Sequence, residues 1–455
     1  QEEKHIPGTE QLLDSATSGP FFLLEADAVP PDLIMLRRLS PARFIVRYRD
    51  EIPKKITKLR PVNDLWKLSP DLLADYPAIS RGRQDLELII KTASATELKL
   101  LEQAGKLRIL KTNSAWSTFV VRMNPTLLPE LLKSPAIEQV SRYRKATTER
   151  ELTGFDLSAN KLNAAHYWYP ELSGRNQVIS IKESKPDTAD IDFKGRWLPS
   201  INAAPEMETH ATNMATIAAG GGNTYYTGKG AAWGAGIRSA DFGELMPDVT
   251  SLLKSQGVTV QNHSYGVGIE NFYGLDAAAY DQQLNEDTSL LHVFSAGNRG
   301  TEASTDGPYA GLMGWANLTG SFKMSKNSLV VGAMDSLQQV VALSSRGPAH
   351  DGRIKPELIA FGEDGSSGAA ALVSGTTLLL QELFQRKHSR PAPSALVRAV
   401  LVSSTDEVNA PGPDFQSGYG ALNAAKAIEL MQKKQYLLGS INENEVLLSL
   451  IHISQ

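Results

Sequence analysis

Apolar and polar positions divide the chain into two regions with different patterns. Between residues 42 and 150, short apolar runs alternate with amphipathic stretches. The runs RFIVRYRD, DLELIIKTA, STFVVRM and IEQVSRY predict strands, whereas SATELKLLEQAG and NPTLLPELLKS predict helices. This alternation is typical of a small α+β domain of the ferredoxin-like kind. The first residues are polar and lack a clear period, so residues 1–41 are expected to form a flexible lead.

The second region, residues 155–432, alternates apolar strands with helical stretches. The predicted strands are VISIKE, GIRSAD, VTVQNHS, LHVFSAGN, SLVVGAMD and KPELIAFG. This order predicts an α/β domain with a mostly parallel sheet and helices on both faces. Sites in such sheets form beyond the carboxyl ends of the strands, where Glu183, Ser264 and Asn298 lie. The polar stretch 143–154 suits a linker, and residues 433–455 are interpreted as the start of a truncated C-terminal extension.

Composition narrows the possible classes of function. The chain has 455 residues, of which 42% are hydrophobic and 21% charged, and its net charge is −4. This charge argues against a protein whose affinity for nucleic acid depends on phosphate neutralisation. The absence of cysteine excludes disulfides, thiolate nucleophiles and cysteine-based zinc sites. No apolar run is long enough to cross a bilayer, and the first residue is Gln, so either a signal peptide has been removed or the chain is a fragment.

Three short stretches carry candidate chemistry. His210 opens a run of small residues in METHATNMATIAAGGG, which would place its imidazole at a helix N-terminus. Ser366 and Ser367 precede a long helix in GSSGAAALVSGTTLLLQELF, and Asn298 follows an apolar strand in FSAGNRG. Each also has a plainer interpretation, namely a structural histidine, a serine that caps a helix, and a turn. No HExxH motif supports a zinc protease, and HSYG lacks the first Gly of a nucleophile elbow.

Six sequence blocks resemble those of one protease family and occur in the family's order. HATNMATIAAG resembles the HGTHVAGTIAG block of the subtilisin-like serine proteases, NHSYG is similar to their NMSLG, and SAGNRG to their AAGNxG. LSSRGP followed by DGRIKPELIAFG resembles FSSRGP followed by DGRIKPDIVAPG. GSSGAAALVSG matches GTSMAAPHVAG, and GYGALNA matches GYGxLNA. Across roughly residues 155–430 the chain is therefore identified as a member of this family, which implies a subtilisin-like fold.

The resemblance implies a role for each matching position. Ser367 would be the nucleophile, His210 the general base and Asn298 a donor to the oxyanion, with the Ser367 backbone N–H as second donor. Substrate would pair as an added strand. The substrate-binding positions implied are Ser264, Tyr265, Gly266, Ala296 and Gly297. Asn213 and Leu372 replace histidines of the family motifs, which removes no catalytic atom.

The catalytic acid is the main departure from the family. NQVISIKESKPDTADIDFKGR resembles NVKVAVIDTGID, two further residues and HPDLKGR, and without gaps the family's Asp falls on Glu183. A slip that places Lys182 there breaks the other matches, so Glu183 is the candidate rather than Lys182, Asp187 or Asp190. A carboxylate of either length can accept the imidazole N–H bond. Because neighbours on a strand alternate, Lys182 is expected to point to the opposite side.

The N-terminal region resembles the end of a subtilisin-type propeptide over residues 117–144. Such domains are similar to folding chaperones that leave their C-terminus in the active cleft, so the N-terminal domain is a candidate intramolecular inhibitor. A retained accessory domain is the alternative. If the region is a propeptide, cleavage is expected between Lys145 and Thr153.

Two functions are consistent with these residues. The first is a secreted or cell-surface bacterial serine endopeptidase, made as a zymogen, with a Ser-His-Glu triad and protein or peptide substrates. The second is a protein of the same fold that binds peptides without cleaving them, which the Glu183 substitution and the altered residues after Ser367 would permit. No cofactor is expected to be required. Structural calcium is common in the family, but no loop shows a convincing ligand set. Neither a nucleic-acid partner nor a transmembrane segment is expected.

Overall fold

A computed structural model describes residue 13 and residues 20–439, apart from 41, 50–58, 83, 146, 149–155, 224–227, 363–364 and 410. The predicted C-terminal extension therefore lies mostly outside the described residues, as does most of the predicted cleavage segment. Among the described residues, no helix is long and apolar enough to cross a membrane.

The N-terminal region contains two antiparallel sheets rather than one. The first sheet has the order β2-β3-β1-β4. Two of its strands lie within residues 1–41, so the expected flexible lead is structured from Phe22 onward. Their side chains explain this, because Leu23, Leu24 and Leu33 are buried against the rest of the sheet. The strands of this sheet are β1 (Phe22–Glu25), β2 (Leu33–Ser40), β3 (Arg43–Tyr48) and β4 (Leu59–Pro61).

The second N-terminal sheet has the order β6-β7-β5-β8 and carries two helices in a βαββαβ chain order, as in ferredoxin-like domains. Its core consists mostly of leucine, isoleucine and valine side chains from the sheet and its helices, together with Phe119 and Met123. The first strand predicted from the sequence, RFIVRYRD, belongs to the other sheet, and the strand at residues 107–113 was missed. The elements are α1 (Pro70–Ile79), β5 (Leu86–Thr92), α2 (Thr96–Gln103), β6 (Leu107–Asn113), β7 (Thr118–Met123), α3 (Leu128–Leu132) and β8 (Ile137–Arg142).

The C-terminal region is built on a six-stranded parallel sheet of order β11-β10-β12-β14-β15-β16. Alternate residues of its strands face two separate cores. Val293 lies in one core and Phe294 in the other, so helices cover both faces, which confirms the predicted α/β class. The six strands are β10 (Val178–Lys182), β11 (Gly236–Ala240), β12 (Val258–His263), β14 (Leu291–Ser295), β15 (Leu329–Ala333) and β16 (Leu358–Ala360). Two further short strands, β9 (Thr147–Thr148) and β13 (Tyr265–Gly266), pair with each other.

The helices of this region differ in how deeply they are buried. The longest helix, α8 (Gly365–His388), is buried from Gly365 to Phe384, because its first half contains mostly small residues that let the sheet and neighbouring helices approach. Gly375 illustrates this closeness, since a Cβ there would lie 2.3 Å from the backbone oxygen of Ala218. The other helices are α4 (Leu162–Trp168), α5 (Thr209–Ala219), α6 (Thr250–Ser255), α7 (Leu275–Glu286), α9 (Ser394–Ser403) and α10 (Ala424–Gln432).

Candidate active site

Glu183 and His210 meet at the carboxyl end of the parallel sheet. Glu183 follows the last residue of β10, and its N–H continues the ladder by donating to the Ala240 carbonyl at 2.8 Å. Its side chain is fully buried, and its Oε1 is hydrogen-bonded to Nδ1 of His210. His210 is the second residue of α5 and is 7% exposed. A carboxylate bound to Nδ1 holds the imidazole in one tautomer and orientation.

The neighbouring charges of this stretch have other partners. Lys182 points to the other side of the strand, as alternation predicts, where its Nζ lies 3.3 Å from Asp248 Oδ1. Asp187 and Asp190 accept backbone N–H bonds from Ala189 and Asp192, each at 2.9 Å. These two acids therefore cap turns in the loop after the strand.

Ser367 lies in the first turn of α8, which begins at Gly365 rather than after the serines. Its Oγ donates a 3.4 Å hydrogen bond to the Ser264 carbonyl, and Ser264 Oγ donates to the Ser367 carbonyl at 2.9 Å. The helix start is tightly packed, because a Cβ on Gly362 would lie 1.9 Å from the Gly368 backbone. The long bond leaves the Ser367 hydroxyl weakly held.

Asn298 lies beside Ser367, held in a defined orientation by Ser366. The Oδ1 of Asn298 accepts from Ser366 N at 3.2 Å and from Ser366 Oγ at 2.9 Å. Ser366 Oγ in turn accepts from Gly297 N at 3.1 Å. Because Oδ1 faces Ser366, the Nδ2 donor lies on the other side of the carboxamide. The role of Ser366 was missed by the sequence analysis, which considered this residue only as a helix cap.

Gly297 is required by the backbone at this turn. Its φ is +116°, and a Cβ there would lie 2.4 Å from Thr319 Oγ1. The carbonyls of Ala296 and Gly297 accept from Thr319 N at 3.2 Å and from Ser345 N at 2.8 Å. Ala296 and Gly297 are two of the predicted substrate-binding positions, and their carbonyls accept hydrogen bonds from the domain itself.

The other predicted substrate-binding positions carry an added strand in this structure. The antiparallel pair of β13 and β9 joins Tyr265 to Thr148 and Gly266 to Thr147. The segment that leads out of the N-terminal domain thus lies along Tyr265 and Gly266, and its paired residues Thr147 and Thr148 belong to the predicted cleavage segment.

Further contacts dock the N-terminal domain onto the C-terminal one. Lys111 Nζ and the Tyr143 hydroxyl donate to the Gly243 carbonyl at 2.8 and 3.0 Å, and Trp116 Nε1 donates to the Pro247 carbonyl at 2.7 Å. Arg144 Nε lies 3.1 Å from Glu270 Oε1.

The electrostatics of Glu270 reflect its position at this interface. Burial raises its pKa to about 8, while the Arg144 guanidinium acts to lower it. Burial likewise lowers the pKa of Arg144, but the carboxylates of Glu270 and Asp71 outweigh this, so that the pKa of Arg144 is raised.

A second group of buried polar side chains lies under the strand that carries Tyr265. His263 Nε2 is 2.8 Å from His292 Nδ1, and His292 Nε2 is 2.8 Å from Gln283 Oε1. Gln283 Nε2 donates to the Asp248 carbonyl at 2.5 Å, so its Oε1 must accept from His292. His292 Nδ1 then accepts from His263.

The remaining ring nitrogen of His263 and His292, which is His263 Nδ1, is hydrogen-bonded to a tyrosine hydroxyl. His263 Nδ1 lies 3.0 Å from the Tyr265 hydroxyl and accepts a hydrogen bond from it, because His263 Nε2 is the protonated nitrogen that donates to His292. Burial lowers the pKa of His263 well below its usual value and that of His292 to about 3, so both rings are neutral. Sequence reasoning missed this network, although polar residues inside a parallel buried strand are a signal that could have found it.

The site described here contains no evident metal centre. In the part of the chain that the structure describes, no three acidic or histidine side chains are grouped so that they could hold a metal ion.

The geometry can be compared with known proteins. The model of the Subtilase family matches residues 123–420. An epidermin leader peptide processing serine protease from Staphylococcus aureus aligns with a TM-score of 0.57 at 16% identity, over 76% of this chain and 100% of that chain. Fervidolysin from Fervidobacterium pennivorans, a keratinolytic enzyme related to subtilisin, aligns with a TM-score of 0.53 at 16% identity, over 76% of this chain and 61% of that one. These structures show a shared fold, and because the family model spans well over half of the chain, the protein belongs to the subtilase family of serine proteases.

Proposed function

We propose that this subtilase is a serine endopeptidase whose catalytic triad is Ser367, His210 and Glu183. The observation that carries the proposal is the hydrogen bond between Glu183 Oε1 and His210 Nδ1. A carboxylate at this nitrogen leaves Nε2 for proton transfer and stabilises the imidazolium that forms. The contact with His210 despite the longer side chain of glutamate supports Glu183 as the acid of the triad.

The proposed reaction is acyl transfer. His210 takes the proton of Ser367 Oγ while this oxygen attacks the peptide carbonyl, and the same proton then goes to the leaving amine. Water hydrolyses the resulting acyl-enzyme with His210 again acting as base. The weak 3.4 Å bond of Ser367 Oγ to the Ser264 carbonyl offers little resistance to this movement of the hydroxyl.

Two donors are proposed for the oxyanion, namely Asn298 Nδ2 and the Ser367 backbone N–H. The two hydrogen bonds from Ser366 to Asn298 Oδ1 support this assignment, because they fix which side of the carboxamide presents N–H. Preorganised donors of this kind need no rearrangement as negative charge develops on the carbonyl oxygen.

The N-terminal region is proposed to be an inhibitory propeptide, so that the chain is a zymogen. The pairing of β9 with β13 supports this, since it occupies the backbone positions along which a substrate strand would bind. The docking bonds to Gly243 and Pro247 hold the same domain in place.

A fluorophosphonate probe tests the triad. The incubated wild-type chain should be labelled, Ser367→Ala should not be, and Ser374→Ala should still be labelled, which controls for the loss of one buried hydroxyl of the same helix. Absence of labelling in the wild-type chain would contradict the endopeptidase and favour the peptide-binding alternative.

N-terminal sequencing tests the propeptide. Incubation should yield a new N-terminus between residues 145 and 153 in the wild-type chain and none in Ser367→Ala. A full-length chain that persists while it cleaves peptides would show that the N-terminal region is a retained accessory domain.

A further inference from the structure

Glu270 forms a fixed, buried carboxylate beside the strand that carries Tyr265 and Gly266. Its residue is 6% exposed, its N–H donates to the Leu318 carbonyl at 3.1 Å, and its Oε2 accepts from Ser321 N at 2.7 Å. These bonds leave Oε1 directed at the docked segment of the N-terminal domain. A buried carboxylate is costly unless a cation pairs with it.

The guanidinium of Arg144 occupies this position. Its Nε lies 3.1 Å from Glu270 Oε1. A Cβ on Gly268, whose φ is +116°, would lie 3.3 Å from Arg144 Nη1, so the guanidinium passes over a backbone without a side chain. Arg144 stands three residues before Thr147, the first residue paired with β13. The arginine and the added strand thus belong to one continuous segment.

We propose that Glu270 and Gly268 form a guanidinium-binding subsite, which selects substrates with arginine three residues before the first residue that pairs with β13. The inference rests on the proposed function, because it treats the docked segment as an internal copy of a substrate. It adds a determinant of specificity that lies away from the triad and from the paired strand itself.

The subsite favours arginine over lysine. Nε faces Glu270, while Nη2 lies 3.2 Å from Asp71 Oδ2 of the N-terminal domain. A guanidinium presents several N–H groups in a fixed plane, whereas an ammonium is a compact and strongly hydrated charge. A separate peptide substrate does not carry Asp71. Cleavage of such a peptide therefore measures the contribution of Glu270 to arginine binding without that of Asp71.

A purely structural ion pair between domains is the competing explanation, and cleavage of peptides in trans separates the two. The substrate is a fluorogenic peptide with the sequence of residues 143–154, carrying arginine, lysine or citrulline at the position of Arg144. The enzyme is the full chain, which is allowed to cleave itself. A second enzyme carries Arg144→Ala, so that its own docked segment competes less with the peptide for Glu270.

At pH 9, above the raised pKa of Glu270, the arginine peptide should exceed the citrulline peptide in kcat/KM by roughly ten- to hundred-fold, the range of a charge-assisted hydrogen bond, with lysine between them. Glu270→Gln should reduce this ratio to about two or less, while Glu244→Gln, which removes a different carboxyl of the same cleft, should preserve it. Equal cleavage of arginine and citrulline peptides by both enzymes would overturn the subsite, even if Ser367 is labelled normally.

Binding provides a readout that does not depend on catalysis. In a full chain with Ser367→Ala and Arg144→Ala, fluorescence anisotropy should show tighter binding of the arginine peptide than of the citrulline peptide. Equal affinities would again overturn the subsite. A chain that fails to label or cleave but keeps this binding preference would refute the proposed endopeptidase and leave the subsite standing. Normal labelling of Glu270→Gln by the fluorophosphonate shows that this variant is folded.

Discussion

Two buried histidine systems lie on opposite faces of the parallel sheet, and they differ in the group at the end of the hydrogen-bond chain. His210, on a helix, is bonded to the carboxylate of Glu183. His263 and His292, on two strands, form a chain that ends at the amide of Gln283. Burial disfavours a charged ring at His263 and His292, and of the two kinds of partner only a carboxylate stabilises an imidazolium. Burial and hydrogen bonding alone therefore do not indicate a catalytic histidine.

The end of one strand supplies opposite charges to these two systems. Glu183 places its carboxylate beside His210, whereas the preceding residue, Lys182, lies on the face of His263 and His292. The positive charge of Lys182 adds to burial in lowering the pKa of both strand histidines. Under the proposed function, His210 gains a proton during the reaction, whereas His263 and His292 remain neutral.

The substitution Glu183→Gln tests this contrast most severely, because it gives His210 the same kind of partner that His292 has. We expect kcat for peptide hydrolysis to fall by about 10⁴, the loss typical of removing the acid of a Ser-His-Asp triad. Glu183→Asp should retain more activity, since the charge is kept and only the reach is shortened. Asp187→Asn is the matched control, and a loss there comparable to that of Glu183→Gln would refute the assignment of the acid.

Lys182→Met tests whether the two faces are independent. Asp248 would lose its cation while remaining largely buried, so the free energy of unfolding should fall by about 3 kcal/mol. The double variant with Asp248→Asn should recover part of this loss, as measured by urea unfolding of chains that also carry Ser367→Ala. With Ser367 present, kcat should change less than threefold. A loss of kcat as large as that of Glu183→Gln would show that the ion pair positions the acid.

Much of the catalytic domain could be predicted from the sequence. Its strands read as apolar runs because both faces of the sheet are covered, and their order defined the fold class. The register of the β10 stretch also selected Glu183 over the nearby acids, and the structure places this residue against His210. The prediction of the fold class succeeds because it depends on local patterns, whereas the role of Glu183 stays a prediction.

The features that were missed depend on pairing between distant segments. The sheet of β1 to β4 joins the predicted strand β3 to three strands that were not predicted. The orientation of Asn298 depends on Ser366, which is 68 residues away along the chain, and the hydrogen bond between His263 and His292 spans 29 residues. The periodicity of a short stretch of sequence contains no information on contacts between such distant residues, so they are seen only in the structure.

The neutral state of His292 predicts how the free energy of unfolding depends on pH. This is the smallest of the expected effects. Its folded pKa of about 3 lies below the usual value of 6.5, so the unfolded chain binds more protons between these values. The stability that His292 contributes is therefore fully present above pH 6.5 and is lost as the pH falls towards 3. At pH 5 this loss amounts to about 2 kcal/mol.

The measurement is urea unfolding at pH 7 and pH 5, in a Ser367→Ala background that prevents self-digestion. Carboxyl groups with raised pKa values, such as Glu270, contribute with the opposite sign, so the informative quantity is the difference between the parent chain and His292→Gln. Glutamine cannot gain a proton in this range, and the variant should lose less stability on acidification than its parent. An identical pH dependence in both chains would mean that the pKa of His292 is the same in the folded and the unfolded chain. The distinction between the carboxylate-paired and the amide-paired histidine would then be lost.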